Sequence, residues 1–462
     1  MRNRVKTIAA WLVVAAFAGG AFVAGAELRS WQTASMSSGS APAPTYALLK
    51  LTPEWSPVTL ATTGQGTSEN RELVRSIVKH LKDYYVEPIT GERETAMARG
   101  AVRAMLEYLS DPDSRFLDPK ERALLDDARE GRFHGIGAVL ALRRQKIGDL
   151  DMAKIVVVSP MPGSPAAAAG LKPGDSITHL DGKWIVTHDP FKTPEIKNME
   201  RAVRNKEIDE FTFQKACEAA FKKFKEGVQI RDALEALTAR SSGEISLQIE
   251  RPGRKEPIEC KLPCRSTQVD PVTARMLKKG IVYIRISQFN KRAVSEFGAE
   301  LNQARANGAK GLVLDLRDNP GGLMDAATEV TRRITGGGAI AVIREKGRRH
   351  TIRVPNTRRL DMHVAVLINS GTASVAELVA GTLRDNAAAS LVGTKTFGDG
   401  LLQTPLLLHD GSAAVLTTGR MLTAKGFDFE GRGLKPDREV AQYKRNGDAQ
   451  LEQTVKILLP KL

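Results

Sequence analysis

Cysteine is scarce in this 462-residue chain: Cys217, Cys260 and Cys264 are all there is. That excludes a disulfide scaffold, so the core has to come from buried apolar side chains. Cys260 and Cys264 are close enough in sequence to pair in an oxidising compartment, which leaves Cys217 as a buried, unpaired thiol. None of the 7 histidines stands at a zinc spacing from a cysteine, so no metal site is expected, and no cofactor is implied. Recognised nucleic-acid motifs are absent as well. The net charge of +15 comes from basic residues spread along the chain. Such a surface suits anionic partners, lipid head groups among them, or no specific partner; no nucleic acid is expected.

What is present is globular. Apolar residues make up 42% and charged residues 26% of a chain long enough for two or three domains. At the N-terminus Arg2, Arg4 and Lys6 precede the uncharged run Ile8 to Ala26. That is the pattern of an export signal, with Ala24-Gly25-Ala26 as a cleavage site. The run is also long enough to remain as a membrane anchor, its N-terminus in the cytoplasm. Either way the rest is exported, to a periplasmic or cell-envelope location. Leu28 to Glu69 is rich in Ser, Thr, Ala, Pro and Gly and reads as a tether. Leu73, Ile77, Leu81 and Tyr84 share one helical face, and Ala98, Ala101, Val102, Met105 and Leu109 share another. The spacing predicts two antiparallel helices around a Pro88–Glu94 turn.

The stretch Val366 to Thr404 organises the second half. An apolar strand, Val364 to Ile368, runs into the small-residue turn Asn369-Ser370-Gly371-Thr372-Ala373-Ser374. Val375, Leu378, Val379 and Leu383 then recur at helical spacing, so Ser374 sits where a strand hands over to a helix. A hydroxyl there lies beside helix-terminal N–H groups, which stabilise a developing oxyanion. Upstream, the buried strand Gly311 to Leu316 leads into Asp315-Leu-Arg-Asp-Asn-Pro-Gly-Gly322. Alternating strands and helices imply parallel pairing.

These segments resemble the carboxyl-terminal processing (tail-specific) serine proteases, peptidase family S41. Carriers of the resemblance are Thr372-Ala373-Ser374-Val375-Ala376-Glu377, Thr396-Phe397-Gly398-Asp399-Gly400 with Gln403, the Asp315–Gly322 stretch, and the closing Gly433-Leu-Lys-Pro-Asp437. Phe133-His134-Gly135-Ile136-Gly137-Ala138 and Gly163 to Asp175 are similar to a PDZ domain. The implied fold is a mixed α/β and β multidomain chain. An export segment (1–26) and linker (27–69) precede an N-terminal helical region (70–130). A PDZ domain (131–265) follows, with a basic, Phe-rich helical insertion at about 187–229 that either packs on its own domain or meets a partner. Then come an α/β protease core of the ClpP/crotonase type (266–442) and a C-terminal tail (443–462).

The resemblance also implies roles. Ser374 is the nucleophile, and Gly321 and Val375 supply the oxyanion N–H groups. Gly135, Ile136, Gly137 and Ala138 capture the C-terminal carboxylate of a protein or peptide tail. Gln403 orients the general base, a lysine in the family. Here that position is Asp399. A desolvated lysine takes the serine proton while neutral, whereas aspartate has the opposite charge and a shorter stem. Loss of such a base costs on the order of 10³–10⁶ in rate. Lys395 is the nearby substitute amine. Two functions follow: a serine endopeptidase, or a pseudoprotease that binds peptides without turning them over. Assembly of identical copies is compatible with either.

Overall fold

The computed structural model describes residues 44–46, 67–109, 111, 113–147, 150–387, 389–441 and 447–462. The export segment and most of the tether therefore lie outside the described residues. Among the described residues no helix is long and apolar enough to cross a membrane.

Two compact units are present. One takes in 67–119 together with Pro405–Leu416. Its two helices, Thr67–Tyr84 and Gly91–Tyr108, occupy the positions that the apolar spacing predicts. Their apolar faces are open, however: Leu73 is 61% and Ile77 52% exposed.

The other unit takes in 44–46, Lys120–Thr404 and Thr417–Leu462. Its PDZ portion is an antiparallel sheet in which Ala138–Ile147, Leu150–Pro160 and Ser176–Leu180 lie side by side. The three-residue strand Pro44–Tyr46 runs antiparallel along the outer edge of Ala138–Ile147. Ile230–Ala239 is the helix that flanks the sheet, and it buries Ala233, Leu234 and Leu237. The insertion is a pair of helices, Pro194–Arg204 and Glu210–Glu226. The second starts at Asp209, whose carboxylate accepts from the Thr212 N–H. It rests on its own domain: the Lys223 ammonium lies 5.2 Å from the Trp184 ring centre. All three cysteines are free thiols, so Cys260 and Cys264 do not pair, and Cys264 rather than Cys217 is the fully buried one.

The core beyond the PDZ portion is built on a six-stranded sheet. Ile281–Ile286, Gly311–Asp315, His363–Ile368, Ser390–Gly393 and Arg438–Glu439 are parallel, and Val272–Met276 joins antiparallel at one edge. Near-continuous apolar strands such as Gly311–Asp315 reflect cover on both faces. Helices Ala293–Ala306, Met324–Thr335 and Val375–Ala387 bury Phe297, Val330 and Leu378 on one side. The other side is covered by Ala449–Leu458, so the segment read as a tail contains a helix of the core. A second, antiparallel sheet places Gly338–Glu345 between Arg348–Val354 and the segment Gly419–Leu422.

Candidate active site

Three segments meet at Ser374: the turn after the His363–Ile368 strand, the turn after Gly311–Asp315, and the loop between Gly393 and Leu401. The first turn is fixed by its own side chains. The Asn369 N–H donates to Thr372 Oγ1 at 3.0 Å, and the Thr372 hydroxyl donates to the Leu316 carbonyl at 2.7 Å. The two turns are stitched together by Asn369, whose Nδ2 donates to Asp318 Oδ1 and whose Oδ1 accepts from the Asp318 N–H. The Ala373 N–H reaches the Asn319 carbonyl at 2.9 Å.

This lacing holds Ser374 at φ 56°, a left-handed conformation that costs a non-glycine residue roughly 1 kcal/mol or more. Strain of that kind at a strand-to-helix turn lifts a nucleophile out of the chain path. Ser374 is buried to 7% exposure at the head of the Val375–Ala387 helix. No carbonyl of the helix accepts the Val375 N–H, as for every first-turn amide. Gly321 lies against Ser374: a Cβ at that position would stand 2.7 Å from the Ser374 Cβ, and φ there is +102°. Only glycine satisfies both. The Gly321 N–H, however, is given to Asn319 Oδ1 at 2.9 Å. The amide expected to serve as an oxyanion donor is thus engaged by a neighbouring side chain.

Glu377, which the sequence motif contains without a role, is the hub. It is fully buried. Its Oε2 accepts from the N–H groups of Ser374 (3.1 Å) and Asp399 (2.7 Å). Its Oε1 accepts from the Thr396 hydroxyl (2.5 Å) and the Gly398 N–H (2.8 Å). The Ser374-x-x-Glu377 spacing is half of a capping box, the signal by which sequence alone could have found it. Burial pushes the Glu377 carboxyl up to about 8 against the pull of these donors, and the charge of Asp399 adds to the rise.

Asp399 is thus placed beside Ser374, its amide on the same carboxylate oxygen as that of Ser374. It is 1% exposed. Gln403 is buried as well. Its Nε2 donates to Thr417 Oγ1 at 2.6 Å, and its Oε1 has no hydrogen-bond partner among the described residues. Lys395 is exposed and is not brought to Ser374; the chain alternates there, and Thr396 is the buried neighbour. His363 and His409 are also exposed. Among the described residues no group of His, Cys, Asp or Glu is arranged to hold a metal ion.

At the PDZ loop, the Gly135 N–H donates to the Arg240 carbonyl (2.7 Å) and the Ile136 N–H to the Leu237 carbonyl (3.0 Å). The Gly137 N–H donates to the His134 carbonyl (3.4 Å), so three of the four expected carboxylate contacts are committed, two of them to the end of the Ile230–Ala239 helix. A Cβ on Gly135 would stand 1.9 Å from the Leu237 oxygen, which is why glycine occupies it. Gly137 and Ala138 are the positions at which the loop opens into the Ala138–Ile147 strand.

Residues 280–440 match the model of peptidase family S41, and 156–190 match that of a PDZ domain. The chain is 27% identical over 373 residues to the carboxy-terminal processing protease CtpA of Bacillus subtilis, covering 80% of this chain and 69% of that protein. It is 28% identical over 368 residues to a carboxyl-terminal-processing protease of Synechocystis, covering 78% and 75%. Among solved structures, the photosystem II D1 C-terminal processing protease superposes with a TM-score of 0.58 over 84% of this chain and 92% of that one, at 24% identity. The fold is shared with that structure.

Proposed function

The chain is a member of peptidase family S41 that carries a PDZ domain, and on that premise we propose that it is an exported serine endopeptidase of the C-terminal processing type. A protein or peptide tail adds to the edge of Ala138–Ile147, in place of Pro44–Tyr46, with its carboxylate at Ala138, joined by the Gly137 N–H once the His134 carbonyl yields it. The observation that carries the proposal is Ser374 itself, held at positive φ against Gly321 at a helix N-terminus.

Ser374 Oγ attacks the scissile carbonyl carbon while its proton passes to the Asp399 carboxylate. The oxyanion is held by the Val375 N–H, joined by the Gly321 N–H once Asn319 Oδ1 yields it. Collapse breaks the C–N bond, and the proton from Asp399 leaves with the amine. Water then hydrolyses the acyl-enzyme by the same route. Glu377 is a positioning residue that keeps the Ser374 and Asp399 amides on one carboxylate. A carboxylate is a weaker base here than a neutral amine and opposes the oxyanion, so turnover falls about 10³-fold or more below a lysine-based site.

The buried Asp399 also favours a second function, a pseudoprotease that holds tails without cutting them. Cleavage of a tail peptide by the full chain separates the two. Endopeptidase action predicts slow turnover that is lost in Ser374→Ala and Asp399→Asn and kept in Lys395→Ala. Asp399→Lys should speed it and move the rising limb of the pH profile toward alkali. No turnover by the parent, with activity appearing only in Asp399→Lys, establishes the pseudoprotease. Turnover that persists in Ser374→Ala removes both assignments of the site.

A further inference from the structure

We propose that the antiparallel sheet of the catalytic core carries an anion-binding face that docks on the phosphate head groups of an anionic lipid surface. The segment from Arg344 to Arg359 holds Arg344, Lys346, Arg348, Arg349, Arg353, Arg358 and Arg359 against a single acid, Glu345. The register turns this into a row. Arg344 stands directly opposite Arg349 on one neighbouring strand and directly opposite Arg420 on the other. Three guanidinium groups therefore line up across three strands on one face, and alternation along the strand puts Arg353 on that face too. All of them are exposed.

Like charges directly opposite one another destabilise a sheet. Cations on an edge strand are a common guard against edge-to-edge pairing, and that would account for Arg348–Val354. It does not account for Arg344 or Arg420, whose strands are paired to neighbours within the sheet. Among the described residues one carboxylate answers the row: Asp428 lies 2.7 Å from Arg344 and 3.7 Å from Arg420. Arg349 has no ion pair among the described residues. A planar, bidentate donor repeated at strand spacing matches phosphate oxygens.

Two observations select lipid as the source of the phosphate. Phe427, on the turn that carries Asp428, is 41% exposed, and an aromatic ring beside cations suits a membrane interface. The apolar run Ile8 to Ala26 behind Arg2, Arg4 and Lys6 brings the chain to a bilayer during export.

The test is flotation of the full chain with vesicles of phosphatidylcholine alone and of phosphatidylcholine with phosphatidylglycerol. The N-terminal run partitions into both, so the ratio between them is read. The parent should prefer the anionic vesicles, less so as salt rises. Arg344→Gln/Arg349→Gln/Arg420→Gln should lower the preference about 100-fold, and Asp428→Asn should raise it about 5-fold, at about 1 kcal/mol per charge near the surface. The Asp428→Asn gain guards against loss by misfolding, because a damaged sheet would not bind more tightly. Equal binding to both vesicles, or a preference untouched by the triple substitution, overturns the proposal. So does displacement from vesicles by millimolar inorganic phosphate, which would mark a free-anion site, or by duplex DNA at matched charge, which would mark a nucleic-acid surface.

Discussion

Ser374 is the residue where stability and function oppose each other most directly. Its φ of 56° is penalised for any side chain with a Cβ and is free of cost for glycine. Ser374→Gly should therefore remove activity and raise stability by about 1 kcal/mol, seen as a melting temperature a few degrees higher. A lower melting temperature would mean that the conformation is not strained. Glu377 gives a second prediction at this scale. Its carboxyl is pushed up to about 8, above the ordinary carboxylate range, chiefly by burial. The folded state thus binds a proton that the unfolded state has released. Glu377 is best tolerated below the ordinary carboxylate range, and its contribution is lost as pH rises toward 8. Glu377→Gln mimics the protonated form. The melting-temperature gap between parent and Glu377→Gln should narrow or reverse between pH 5 and 8.5. A gap that stays constant over that range would show Glu377 to be ionised throughout.

At the scale of elements, the helix Ala449–Leu458 depends on a single charged anchor. Asp448 caps it by accepting the Leu451 N–H at 3.0 Å, and the same carboxylate pairs with Arg317 at 2.7 Å. Arg317 is buried and also grips Asp315, which in turn accepts from the Tyr283 hydroxyl at 2.6 Å. Asp448→Ala removes the cap and leaves part of a buried guanidinium unanswered, at a cost of about 2 kcal/mol in chemical denaturation. A loss below about 0.5 kcal/mol would mean the helix docks through Leu458 and its apolar neighbours alone. This element was illegible in the sequence for a physical reason: its anchor lies 131 positions away, and ten residues carry little periodicity. The parallel strands and the turn at Ser374 were legible because their apolar runs and small-residue turns are local signals. The first two helices were legible in period but not in burial; Leu73 and Ile77 keep helical spacing yet stay exposed. The engagement of Gly321 by Asn319 was likewise beyond a motif, since a motif fixes proximity and not the direction of an amide.

At the scale of the molecule, the PDZ sheet and the catalytic turns are physically joined within one compact unit. The Ser159 hydroxyl, at the end of the Leu150–Pro160 strand, donates to the Asp318 carbonyl at 2.6 Å. Asp318 has φ 56° and is bonded through both backbone and side chain to Asn369, in the turn that ends at Ser374. Arg143, on the strand that a tail would join, lies 4.4 Å from the Phe397 ring centre, two residues before Asp399. A displacement of the PDZ sheet therefore reaches both the turn at Ser374 and the loop that carries Asp399 through direct contacts, not through solvent. Ser159→Ala tests the first of these links. It removes one buried hydrogen bond, worth about 1 kcal/mol, so a catalytic role predicts kcat about 5-fold lower with KM for a tail peptide unchanged. The measurement is made on the parent and on the Asp399→Lys background, where turnover is faster. An unchanged kcat with a raised KM would confine Ser159 to holding the tail, and the Asp318 turn would then be set by Asn369 alone.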